Sequence, residues 1–165
     1  MPKEHIYKAK INWTGNTGAG TSAYTAYSRA YEVSGDGGKD IIRGSADPIY
    51  RGEASRYNPE ELVIAAIAGC HMLWFLHLCA DAGVVVVDYQ DDATGNLVET
   101  DNGNGKFAEV TIHPRVTVTN RSDAELAKEL HDKAHEFCFI ANSMNFPVHF
   151  KPTIVFENEK AAING

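Results

Sequence analysis

The sequence predicts an α+β fold: an antiparallel β-sheet packed on one long, central, buried helix, with a second helix later in the chain. Three observations predict it. Residues 58–83 read NPEELVIAAIAGCHMLWFLHLCADAG, a well-capped helix that becomes apolar on all sides, as helices buried in a core do. Short alternating segments come before and after it, with the period of half-buried strands. A second capped helical segment interrupts the later strands. Strands then helix, twice over, is the α+β order.

The elements follow in turn. Residues 5–13 alternate and read as a strand. Residues 16–21, NTGAGT, form a turn without the strand-to-helix context of a phosphate loop. Residues 24–34, YTAYSRAYEVS, alternate aromatic with small or polar side chains and complete a hairpin with the first strand. A second turn at 35–38 leads to a third strand at 40–44, then a charged loop at 46–57. Asn58 is a good N-cap, Pro59 suits the first helical position, and Glu60 and Glu61 lie where acids complement the helix dipole. Glu61 can close a capping box with Asn58, and Gly83 is a natural stop. Residues 84–89, VVVVDY, read as a strand and 88–95 as a turn. Residues 106–119 give one or two strands around Pro114. Ser122 and Glu125 frame a capping box that opens the second helix, which runs to about Cys138. Residues 146–156 form a last strand, where Pro152 points to an edge or a bulge.

A length of 165 residues favours a single domain over 1–165. A composition of 44% hydrophobic and 22% charged residues is ordinary for a globular protein. A net charge of -7 and the lack of any basic cluster exclude a nucleic-acid backbone as main partner. The polar N-terminus lacks the apolar run of a secretory signal. The three cysteines are therefore expected as thiols in a reducing, cytoplasmic setting. Residues 62–80 are long enough to span a bilayer, but His71 and His77 within them, and the lack of a second such segment, favour a core helix.

The chemistry concentrates on two helices. At 100° per residue, Ala66, Trp74 and His77 fall within about 40° of Cys70. Cys79 lies on the opposite face and reads as a small buried hydrophobe. His131, His135 and Cys138 share one face of the second helix. Two thiols on two helices suggest a redox pair: one attacks a peroxide, becomes a sulfenic acid, and is resolved by the other as a disulfide. The attacking thiol needs a nearby cation. Arg29, Arg51 and Arg56 are the candidates, and Glu60 could orient such an arginine through a bidentate pair. An alternative from another class is a metal-binding module, with His131, His135, Cys138 and Cys70 offering a tetrahedral zinc set. A further alternative keeps the fold as a non-catalytic ligand-binding protein.

Two stretches, NPEELVIAAIAGCHMLW and AHEFCFIANSMNFPV, resemble the OsmC/Ohr family, the osmotically induced and organic-hydroperoxide-resistance peroxidases. The order of elements is similar over nearly the whole chain. The resemblance implies an OsmC-like fold in an intertwined homodimer, and a thiol-dependent peroxidase that reduces organic hydroperoxides to alcohols without a cofactor. It implies Cys70 as the peroxidatic cysteine, Cys138 as the resolving cysteine, Glu60 as the glutamate of the NPE motif and Arg29 as the activating arginine. It also implies an external dithiol or a lipoylated protein as reductant. Phe139 stands where the family often has proline, and His71 and His77 lie outside its pattern. Trp74, Met72 and Phe139 would supply an apolar mouth for alkyl hydroperoxides. Glu60 and Cys70, ten residues apart on one helix, are separated by about 15 Å. That separation favours a dimer, in which Glu60 serves the thiol of a second subunit.

Overall fold

The computed structural model describes residues 1–159. The chain forms two compact units, Met1–Leu62 and Val63–Gly165, with the boundary in the first turn of the long helix.

In the first unit, β1 (Lys10–Trp13), β2 (Tyr31–Ser34) and β3 (Ile42–Gly44) make an antiparallel sheet in that order. The expected hairpin is present, with Ile11 opposite Val33 and Trp13 opposite Tyr31. Its second strand begins at Tyr31, later than the alternation suggests. Residues 24–30 are not strand: Ala26 N–H closes a tight turn onto Ala23 O, while Ser28 N–H still reaches across to Gly15 O, both at 2.9 Å. The charged loop carries one 3-10 turn, Pro48–Tyr50, capped by the Asp47 carboxylate and ended by Arg51 in the left-handed region at φ 65°.

The long helix α1 (Pro59–Ala82) starts and stops where its capping residues place it. The capping box is complete: Glu61 N–H donates to Asn58 Oδ1 at 2.8 Å, and Asn58 N–H donates to Glu61 Oε2 at 3.0 Å. Gly83 turns the chain at φ 76°, and Val84 N–H reaches back to Cys79 O at 2.9 Å. Only glycine takes that backbone without strain.

The second unit adds β4 (Val86–Asp91), β5 (Thr94–Glu99), β6 (Gly105–Ile112), β7 (Pro114–Val118), α2 (Ala124–Phe137), a single turn α3 (Phe139–Asn142), β8 (Val148–Phe150) and β9 (Thr153–Phe156). Two three-stranded sheets result, β4-β7-β9 and β5-β6-β8. The purely antiparallel expectation needs correction: β8 runs parallel to β6, and β9 parallel to β7. The last strand is in fact two, broken at Lys151 and Pro152, so that its halves join different sheets. The turn expected at 88–95 is largely strand, because β4 continues to Asp91 and β5 starts at Thr94. The α2 cap is Asp123, which accepts from Glu125 N–H and Leu126 N–H. Ser122 is engaged elsewhere, its hydroxyl accepting from Val85 N–H at 2.9 Å.

Buried α1 residues recur every fourth position: Ile67, His71, Phe75 and Cys79. Phe75 and Cys79 pack with Val116, Val118 and Leu130, while Ile67 packs with Val110 and Ile112. Full burial of a Phe side chain contributes about 3 kcal/mol. All-round burial of α1 is not reached within the chain. Only 22% of its most apolar window is buried, and Leu73 is 65% exposed. By length and composition the helix could cross a membrane; its buried stripe is that of a core helix with one face left uncovered.

Candidate active site

The two thiols predicted to work together are brought together. Cys70 sits half-buried in the fourth turn of α1, and Cys138 ends α2, almost wholly buried. Cys70 is near enough to act on the Cys138 thiol, and both are free thiols. The Cys138 backbone is extended, at φ -67° and ψ 102°, which breaks the helix and turns the sulfur inward. There Sγ lies 4.0 Å from the Ile67 carbonyl and accepts from Ala141 N–H at 3.4 Å. Burial pushes the Cys138 thiol up to about 11; the Ala141 N–H opposes this, and the neighbouring Cys70 adds to it. Cys138 therefore holds its proton at neutral pH, and the more accessible sulfur is that of Cys70. Cys79 is the inert member, a core residue whose thiol burial pushes up to about 11.

Around this pair stand aromatic rings. Trp74 packs at 5.3 Å on Phe137 and edge-on at 5.6 Å against Phe139. Trp74 and Phe139 thus meet as expected, and Phe137 joins them unforeseen. Met72 lies about 200° around α1 from Trp74, on a different face.

Arg29 and Glu60 are neighbours in the first unit. Both line a cleft of about 340 Å³ walled by Trp13, Tyr27, Tyr31 and Tyr50. The expected bidentate pair between them is not formed. The Arg29 guanidinium donates to the carbonyls of Tyr27 and Tyr24 at 2.6 and 2.7 Å. It also lies over both tyrosine rings, 4.1 and 4.4 Å from their centroids. Two of its five N–H donors thus go to carbonyls of its own loop and not to the carboxylate. Tyr31 in the same cleft has its phenol pushed up, by burial first and by the Glu60 charge second. Arg56 is committed to Glu53 at 2.9 Å, and Arg51 is exposed at the end of its 3-10 turn. Arg29 is thus the one of the three that shares a cleft with Glu60.

The proposed zinc set is not assembled. Among the described residues no group of three or more His, Cys, Asp and Glu side chains could hold a metal ion. His131 is instead paired within the core. Its Nδ1 lies 3.0 Å from His71 Nε2, and its ring stacks on Phe75 at 3.8 Å. Sequence reasoning missed this histidine pair. The signal was the four-residue stripe of α1, which puts His71 in phase with Ile67 and Phe75.

Comparison with known proteins supplies a family. The model of OsmC-like proteins matches residues 52–153. An OsmC-like protein of unknown function from Vibrio cholerae is 30% identical, with a TM-score of 0.79 over 91% of this chain and 100% of its own. An organic hydroperoxide resistance protein OsmC from Legionella pneumophila shares the fold at 21% identity, with a TM-score of 0.64 over 92% of this chain and 98% of its own. One from Elizabethkingia anophelis does so at 20% identity, with a TM-score of 0.65 over 94% and 100%. No curated protein matches the sequence. The fold is OsmC-like, and the chain belongs to the family of OsmC-like proteins.

Proposed function

We propose that the protein is a thiol peroxidase that reduces organic hydroperoxides to alcohols with Cys70 and Cys138. One observation carries the reading: two free thiols from different helices are neighbours, one half-exposed and one buried and protonated. The asymmetry supports Cys70 as the attacking thiol and Cys138 as the resolving one. The Cys70 thiolate attacks the distal peroxide oxygen, the O–O bond breaks, and the alkoxide leaves and takes a proton as alcohol. Cys70 is now a sulfenic acid. The Cys138 sulfur attacks it, water leaves, and a disulfide closes. An external dithiol, free or on a lipoylated protein, reduces the disulfide by exchange.

Arg29 and Glu60 enter as the charged partners of the reaction, the guanidinium stabilising the developing alkoxide. A homodimer fits the uncovered apolar face of α1 and the helix length between Glu60 and Cys70. Trp74, Phe137 and Phe139 favour an alkyl or aryl peroxide over hydrogen peroxide.

The test is steady-state peroxide consumption with a small dithiol as reductant. Cumene hydroperoxide should be consumed faster than hydrogen peroxide by wild type, and not at all by Cys70→Ser. Equal consumption by Cys70→Ser would end the proposal.

A further inference from the structure

The buried histidine pair next to the thiols has no part in the chemistry above. His71 follows Cys70 on α1, and His131 precedes Cys138 by two turns of α2. Both rings are buried, at 1% and 0% exposure. Their planes differ by 7° while Nε2 and Nδ1 stand 3.0 Å apart, so the rings meet edge to edge in a shared plane, as an in-plane hydrogen bond requires. It is the one polar contact found for either ring: His71 Nδ1 and His131 Nε2 are buried without a partner among the described residues. His135 lies near enough to act on His71 through its charge, and aromatic faces are also packed on the pair. Phe75 stacks on His131, and Phe150 of β8 lies against both His71 and His135.

A directional bond does something here that greasy contacts do not. Near the thiols the helices also meet through the long, weak Cys138 Sγ–Ile67 carbonyl contact at 4.0 Å and through aromatic faces, such as Trp74 on Phe137. Such contacts tolerate sliding, whereas a hydrogen bond weakens steeply with distance and angle. A disulfide closes only when its two Cα atoms come within about 4.4–6.8 Å. Slippage of α2 on α1 changes that separation directly.

We propose that His71 and His131 are a positioning pair that fixes the register of α2 on α1 and so sets how readily Cys70 and Cys138 form a disulfide. The proposal rests on the disulfide of the proposed function. Loss of the pair lowers the effective concentration of one thiol at the other. The peroxide-attacking step at Cys70, which needs only one sulfur, is left intact.

The test is the equilibrium of the Cys70–Cys138 disulfide with reduced and oxidised dithiothreitol, which involves no peroxide. In His71→Leu/His131→Leu both polar partners go together, so no buried imidazole is left unpaired and the core is kept. The equilibrium constant for disulfide formation should fall about tenfold, a rise of about 30 mV in potential. His131→Asn, whose amide can stand where Nδ1 stood, should return it to within about twofold of wild type. If the double variant does not fold, His131→Phe serves, since it keeps the stack on Phe75 and loses the hydrogen bond. A folded variant lacking the hydrogen bond with a wild-type constant overturns the positioning role and leaves the peroxidase reading untouched. Failure of wild type to form the disulfide at all overturns both.

Discussion

The two units hold their reactive groups in opposite ways. From Val63 onward the thiols lie beside a dry core, with Cys138, His71, His131 and Phe75 almost fully buried. In Met1–Leu62 the charged groups Arg29 and Glu60 line an open cleft, β1 is exposed along its whole length, and Trp13 is 44% exposed. In the first setting packing positions the groups, and a small shift alters what they can do. In the second, local hydrogen bonds and tyrosine rings position Arg29, and little of the core is involved. In the proposed reaction, the groups whose spacing matters sit in the buried setting, and the charged groups sit in the open one.

That contrast can be broken most severely at the thiols. Cys70→Ser should abolish turnover, and Cys138→Ser should allow one oxidation per subunit and then stall, as followed by stopped-flow peroxide loss. Arg29→Ala should lower turnover by about 10²-fold, the scale of losing one charge-stabilising group. Its thermal stability should change little, because its contacts are confined to its own loop. Phe75→Ala should cost about 3–5 kcal/mol in urea unfolding, through the lost ring and the cavity left behind. Trp13→Ala, half-exposed, should cost clearly less. Equal costs would mean that the two units are packed alike.

Acid should act on the second unit through its histidines. Burial pushes His71 down to about 4, with His135 adding to it, and pushes His131 down to about 3, with His71 adding. Both lie below the value of about 6.5 in an unfolded chain. The unfolded state therefore takes up protons first, so this contribution is complete above pH about 6.5 and is lost as pH falls from there through about 4 for His71 and about 3 for His131. The loss is on the order of a few kcal/mol for the two. Urea midpoints measured from pH 7 to 4 should fall less in His71→Leu/His131→Leu than in wild type. The smallest effect is at the helix start, where Asn58→Ala should cost about 1 kcal/mol.

Much of α1 was legible because its signals are local. Asn58, Pro59, Glu61 and Gly83 act on backbone within a turn of themselves, and each does in the structure what its chemistry suggests. The pairing of Cys70 with Cys138 was legible from the motif. What escaped depends on distant partners. Ser122 and Asp123 can both cap a helix, and a tertiary bond to Val85 decided between them. The Thr94–Glu99 strand hides behind Gly95 and Asn96, which look like turn residues until β6 pairs with them. The Arg29–Glu60 pair failed because residues 24–30 leave the strand and offer carbonyls and rings instead. His71 and His131, sixty residues apart, could be placed in a core by phase but not matched to each other.

The central claim is that Cys70 and Cys138 complete one oxidation together. The most direct measurement is intact mass, with free-thiol counting, after one equivalent of cumene hydroperoxide on wild type and on Cys138→Ser. The account expects wild type to lose two hydrogens and two thiols, and the variant to gain one oxygen, trapped at Cys70. Unchanged mass with all thiols still reactive in wild type would contradict it.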